Sequence, residues 1–120
     1  MAAAVANENI RILESEGVVE RVHNHIGPHL KDLWDSLVDH PLVGEAKVVG
    51  MMGSTALTPN KETRAAFYGQ ARSVGLIYRE KCFGANLIMR AVGDRMVISP
   101  PLIITKKELA MLIEGCCCSR

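Results

Sequence analysis

The sequence predicts an α+β domain, a small and mostly antiparallel sheet with helices packed on one face. Three observations carry that reading. Apolar residues recur every three or four positions through the first forty residues, the spacing of a buried helical stripe. The stripe then gives way to segments rich in glycine and β-branched residues, the composition of strands. Near the other end, Thr105-Lys106-Lys107-Glu108 is a capping box opening a last helix. A chain of 120 residues can bury enough surface for one domain, so a single unit over 1–120 is expected, without disulfide or metal staples.

Each element has its own signal. Ala2 to Glu16 is Ala-rich, with Val5, Asn9, Ile12 and Leu13 on one face, and it stops at Gly17. Val18, Val22, Ile26, Leu30, Leu33, Trp34 and Leu37 mark a second helix. Gly27-Pro28 should kink it, because Pro28 lacks the N–H that would bond the Asn24 carbonyl, and Asp39-His40-Pro41 ends it. Glu45 to Leu57 is expected to be one strand bent at Gly50 or Gly53. Thr58-Pro59-Asn60 is a turn, followed by a polar loop to about Gly69. Gln70 to Phe83 is helical, with Val74, Ile77 and Tyr78 on a face. Asn86–Arg90 and Arg95–Ile98 are two short strands joined by Ala91-Val92-Gly93-Asp94, and Pro100-Pro101 interrupts regular pairing. The final helix, carrying Leu109, Leu112 and Ile113, should be cut short by Gly115 and the Cys tail.

Composition narrows the function classes. The net charge is +1 and no basic run occurs, so the electrostatic case for nucleic acid is missing. No apolar stretch approaches the ~18 residues that span a bilayer. Met1 to Ala6 lacks the basic leader and hydrophobic region of a secretory signal, so the cytosol is the expected compartment. The cysteines are Cys82 and the consecutive Cys116, Cys117 and Cys118, which have neither C-x-x-C spacing nor the look of a disulfide framework. A buried Cys82 and an irregular tail are expected, with no metal bound.

Four groups of residues are candidates for chemistry. His25 and His29 stand one helical turn apart after His23, but no H-E-x-x-H carboxylate completes a metal pattern, and a solvated helix face is the simpler reading. Gly50-Met51-Met52-Gly53-Ser54 lacks the lysine and the strand-to-helix context of a phosphate loop. Lys31, Lys47, Lys61, Lys81, Lys106 and Lys107 all fall on polar faces, in the loop or near a strand start, so none is marked as a Schiff-base lysine. Arg90 follows the apolar run Leu87-Ile88-Met89 next to a glycine-containing turn. A guanidinium there can meet a carboxylate through two parallel charge-assisted hydrogen bonds. By spacing alone a solvated strand-end arginine is the simpler reading.

Four blocks of the chain carry a resemblance. Leu87-Ile-Met-Arg-Ala-Val-Gly-Asp94 followed by Ile98-Ser-Pro-Pro-Leu-Ile-Ile-Thr105 resembles the C-terminal signature of class III aminotransferases, most closely the amine and omega-amino acid:pyruvate type. His40-Pro-Leu-Val-Gly-Glu45 with Val49-Gly-Met-Met-Gly53, and Asn9-Ile-Arg-Ile-Leu-Glu14 with Gly17, agree in order and spacing. The resemblance implies the C-terminal small domain of a fold-type-I enzyme that uses pyridoxal 5'-phosphate and works as a homodimer on small amines and 2-oxo acids. It implies that Arg90 recognises the substrate carboxylate and swings aside for an apolar group. It also implies that the cofactor lysine, its acid partner and the phosphate loop belong to a large domain absent from these 120 residues. No catalytic or cofactor-binding residue is therefore expected in this chain, which should be inactive alone. Met1 falls where the family's chain runs on into a helix, and Gly115 to Arg120 departs from the family's longer helix, so a truncated product is expected. The alternative is a non-catalytic module that complements a separately encoded large domain.

Overall fold

The computed structural model describes residues 1–67, 69 and 73–118, with the Cys118 side chain outside that set. Helix α1, Ala2–Ser15, ends where Gly17 takes a positive φ of 61°. The second predicted helix is one continuous coil with three pitches: α2, Val18–Arg21, a π turn over Val22–Ile26, and α3, Gly27–Asp35, closed by a 3₁₀ turn at Ser36–Asp39. The expected effect of Pro28 is thus spread over a turn. Instead of a four-residue bond, the Gly27 N–H donates to the Val22 carbonyl five residues back, which is how the coil widens ahead of a residue with no donor.

The segment expected to be one bent strand is a hairpin. Strand β1, Val43–Val49, runs antiparallel to β2, Met52–Leu57, through Gly50 and Met51. Gly50 has φ of 58°, the left-handed conformation a two-residue hairpin loop asks of its first position, so the glycine marks a reversal and not a bend. Helix α4, Val74–Gly84, starts later than expected, with the Ser73 hydroxyl accepting from the Leu76 N–H at 3.3 Å. Gln70, Ala71 and Arg72, where the helix was expected to begin, lie outside the described residues. Strand β3 is Arg90–Val92, later than the expected Asn86–Arg90, and it pairs with β4, Arg95–Ile98, around Gly93-Asp94. Arg90 therefore opens a strand instead of closing one.

Helix α5, Lys106–Cys118, passes through Gly115 without ending there, so the cysteines are helical and not an irregular tail. Its capping box is formed as predicted: Thr105 Oγ1 accepts from the Glu108 N–H at 3.3 Å, and Glu108 Oε2 accepts from the Thr105 N–H at 2.8 Å. The architecture is α+β, a four-stranded antiparallel sheet in the order β1-β2-β4-β3.

Strand alternation divides the sheet into two faces. Ala46, Thr55, Met96 and Ala91 form one paired row, and Val48, Gly53 and Ile98 the next. These residues pack with Leu30 and Trp34 of α3 and Leu109 and Ile113 of α5. Trp34 is completely buried and its Nε1 donates to the Ser54 carbonyl at 3.1 Å. A Cβ on Gly53 would stand 3.0 Å from Trp34 and from Ile98, so this glycine is needed for close packing. The apolar–polar alternation puts the other rows, Lys47-Ser54-Val97-Arg90 and Glu45-Ala56-Arg95-Val92, on the face away from this core.

Candidate functional site

The β3–β4 hairpin carries the candidate arginine, and two contacts fix that hairpin to the rest of the domain. Asp94 Oδ1 accepts from the Val74 N–H at 3.1 Å and from the Gly75 N–H at 3.4 Å, so the turn caps the start of α4. The Asp94 carbonyl accepts from the Leu57 N–H at 2.9 Å, tying the same turn to the end of β2. Met89 is anchored in the core at 3% exposure, and the next residue, Arg90, is exposed on the opposite face. The backbone at Arg90 is held by pairing with Val97 while the guanidinium projects into solvent.

The charges on this face are unequal in their commitments. Glu45 Oε1 lies 2.8 Å from Lys47 Nζ, and Glu45 Oε2 accepts from Arg95 at 3.4 Å. Lys47 first, and Arg95 second, hold the Glu45 carboxyl below its usual range. Arg95 is the diagonal neighbour of Arg90 across the hairpin, and its charge is met by Glu45. Among the described residues, Arg90 has no ion pair or side-chain hydrogen bond. A depression of about 320 Å³ lies on the neighbouring part of this face, lined by Glu45, Val92, Arg95 and the Arg64–Ala66 loop, and Arg90 is not among its lining residues. The arrangement suits capture of an anion that brings two coplanar oxygens to the free guanidinium.

The other candidates take different places. His23 and His25 are exposed on the π turn, and no three His, Cys, Asp or Glu side chains converge as a metal site among the described residues. Gly50 to Ser54 forms the β1–β2 reversal and the start of β2. All six lysines are exposed. Lys31 pairs with Asp35, Lys47 with Glu45, and Lys61 donates to the Val38 carbonyl.

The sequence reading missed two groupings. The Glu45–Lys47–Arg95 cluster joins two hairpins, and its only local trace is the period-two placement of charges along β1 and β4. The second is a sulfur cluster: Cys82 Sγ lies 3.8 Å, and Cys116 Sγ 3.6 Å, from Met89 Sδ. Burial pushes the Cys116 thiol up to about 12. Reading Gly115 as a helix end hid Cys116 from this group.

No protein-family model matches the chain. Individual proteins match it well. It is 51% identical over 113 residues to a putrescine–pyruvate aminotransferase of Pseudomonas aeruginosa, covering 94% of this chain and 24% of that protein. It is 33% identical to gamma aminobutyrate transaminase 1 of Solanum lycopersicum, a mitochondrial protein, covering 95% and 22%. Among solved structures, the omega transaminase of Pseudomonas jessenii in complex with PMP superposes with a TM-score of 0.89 at 30% identity, over 98% of this chain and 26% of that one. The chain spans about a quarter of the length of the relatives it matches. Among the described residues, no helix is long and apolar enough to cross a membrane. Sequence and backbone agree along nearly all of its length, and the chain belongs to the class III aminotransferase family, matching a C-terminal part of its members.

Proposed function

We propose that this chain is the carboxylate-recognising small domain of a cytosolic, pyridoxal phosphate-dependent transaminase. The complete homodimeric enzyme moves an amino group from an amine or omega-amino acid to pyruvate, and the cofactor lysine belongs to the large domain. The observation that carries the reading is Arg90: exposed, without an ion pair among the described residues, and seated on a hairpin anchored by Asp94. Pyridoxal phosphate supplies the electron sink of the reaction. The role of this chain is positioning. Arg90 binds a substrate carboxylate through two charge-assisted hydrogen bonds, and its long side chain clears the site for an amine without one. Glu45 pairs with Arg95 and Lys47, which leaves Arg90, without an ion pair among the described residues, to meet the substrate.

The test is Arg90→Ala in the complete enzyme, each half-reaction followed separately. Carboxylate substrates should lose about 2–5 kcal/mol in kcat/KM, roughly 30-fold to a few thousand-fold. Amines lacking a carboxylate should react as before. Equal losses for the two classes would refute the recognition role. The 120-residue chain alone, treated with pyridoxal phosphate and borohydride, should carry no cofactor mass on any single preferred lysine. Activity restored by mixing it with a separate large domain would favour the complementing-module alternative.

A further inference from the structure

Three sulfurs meet in the core, on the side of the sheet away from the Arg90 side chain. They come from three places: Cys82 in α4, Cys116 in α5, and Met89 on the approach to β3. All three are buried, at 0%, 6% and 3% exposure. Both thiols lie against one thioether, at 3.8 and 3.6 Å.

That spacing has a chemical meaning. A metal–sulfur bond is about 2.3 Å, so three sulfurs placed trigonally around one ion stand about 4 Å apart. Two thiols and a thioether are soft donors, which select Cu(I) among biological cations. Zinc requires a fourth donor in a tetrahedron, and no cluster of three His, Cys, Asp or Glu side chains supplies one among the described residues. Around the sulfurs, the Tyr78 hydroxyl donates to the Cys116 carbonyl at 2.6 Å, which holds the last turns of α5 in place. A cavity of about 40 Å³ lies beside the sulfurs, lined by Met89, Cys116 and Tyr78 but not by Cys82, and it reaches the exposed Cys117, providing an approach to two of the three donors.

We propose that Cys82, Met89 and Cys116 form a three-coordinate site for one Cu(I) ion. Binding breaks the two S–H bonds, releases both protons to solvent, forms two copper–thiolate bonds and takes a lone pair from the Met89 thioether. Copper stays in the +1 state and no electron is transferred.

The experiment is an anaerobic titration of the full chain against the Cu(I)–bicinchoninate complex, reading transfer of copper by loss of the complex's colour. The expected result is one equivalent bound by the parent chain and by the tail variant Cys117→Ser/Cys118→Ser. Cys82→Ser and Cys116→Ser should each weaken binding about 100-fold or more, and Met89→Leu about 10-fold. Met89→Leu conserves volume, so it decides the matter should the serine variants fail to fold. Parent-like affinity in Met89→Leu or in a folded serine variant would overturn the site, as would loss of the bound equivalent in the tail variant.

Discussion

Met89 and Arg90 are consecutive and point to opposite sides of the sheet, one sulfur sealed in the core and one guanidinium in solvent. The buried residue fixes where the charged one emerges. A lysine at this position keeps the charge but not the planar fork that matches two carboxylate oxygens. Arg90→Lys in the complete enzyme should therefore recover only part of what Arg90→Ala loses, with KM for carboxylate substrates raised about tenfold. Parent-like kinetics for the lysine variant would show that charge alone suffices.

Gly53 and Gly84 give opposite expectations for the same substitution. At Gly53 a Cβ meets the Trp34 ring and Ile98 at 3.0 Å, so Gly53→Ala should destabilise the domain by about 1–3 kcal/mol. At Gly84, the last residue of α4, an added Cβ would meet nothing within 4 Å beyond the helix's own backbone, and Gly84→Ala should stabilise by about 0.5–1 kcal/mol. Urea midpoints of the two variants measure both, and equal signs would contradict this packing.

Asp94 is the joint between the β3–β4 hairpin and α4. Replacing it with Ala removes the acceptor of two helix N–H groups, at about 1 kcal/mol. The hairpin that carries Arg90 should loosen as well. Asp94→Ala in the complete enzyme should thus raise KM for carboxylate substrates more than for plain amines. An unchanged ratio of the two would show that the joint does not position Arg90.

The capping box of α5 predicts an acid dependence. The Thr105 N–H first, and its hydroxyl second, hold the Glu108 carboxyl below its ordinary value of 4.5. A lowered folded value means that the stabilisation is present above the unfolded value and is lost as pH falls through the lower folded one. The melting temperature of the parent chain should therefore fall toward that of Glu108→Gln between about pH 5 and pH 3. A difference between the two that is the same at both pH values would argue against the box.

Much of the fold was legible because its signals are local. The capping box, the apolar stripe from Val18 to Leu37 and the Gly93-Asp94 reversal each need only neighbouring residues to form. The β1–β2 hairpin was misread because its loop is Gly50-Met51, and Met51 is a core residue with no turn character. Strand β3 was displaced because Leu87 to Met89 looks like a strand, while its pairing partner begins only opposite Arg90. Arg90 is singled out by the family resemblance, whereas its lack of an ion pair among the described residues is a tertiary fact. Glu45 pairs with Arg95 across a separation of 50 residues, which no local pattern reports.

Helix α1 has no buried residue and no side-chain cap, and among the described residues its main packing partner is α2. Its internal support is little more than the surface pair Glu8–Arg11. Fourteen residues are near the lower limit for a helix standing in water by itself. The domain should accordingly exchange its amides in two regimes joined at Gly17: a cooperative body that exchanges when Trp34 is uncovered, and a solvated arm whose amides trade with deuterium much faster.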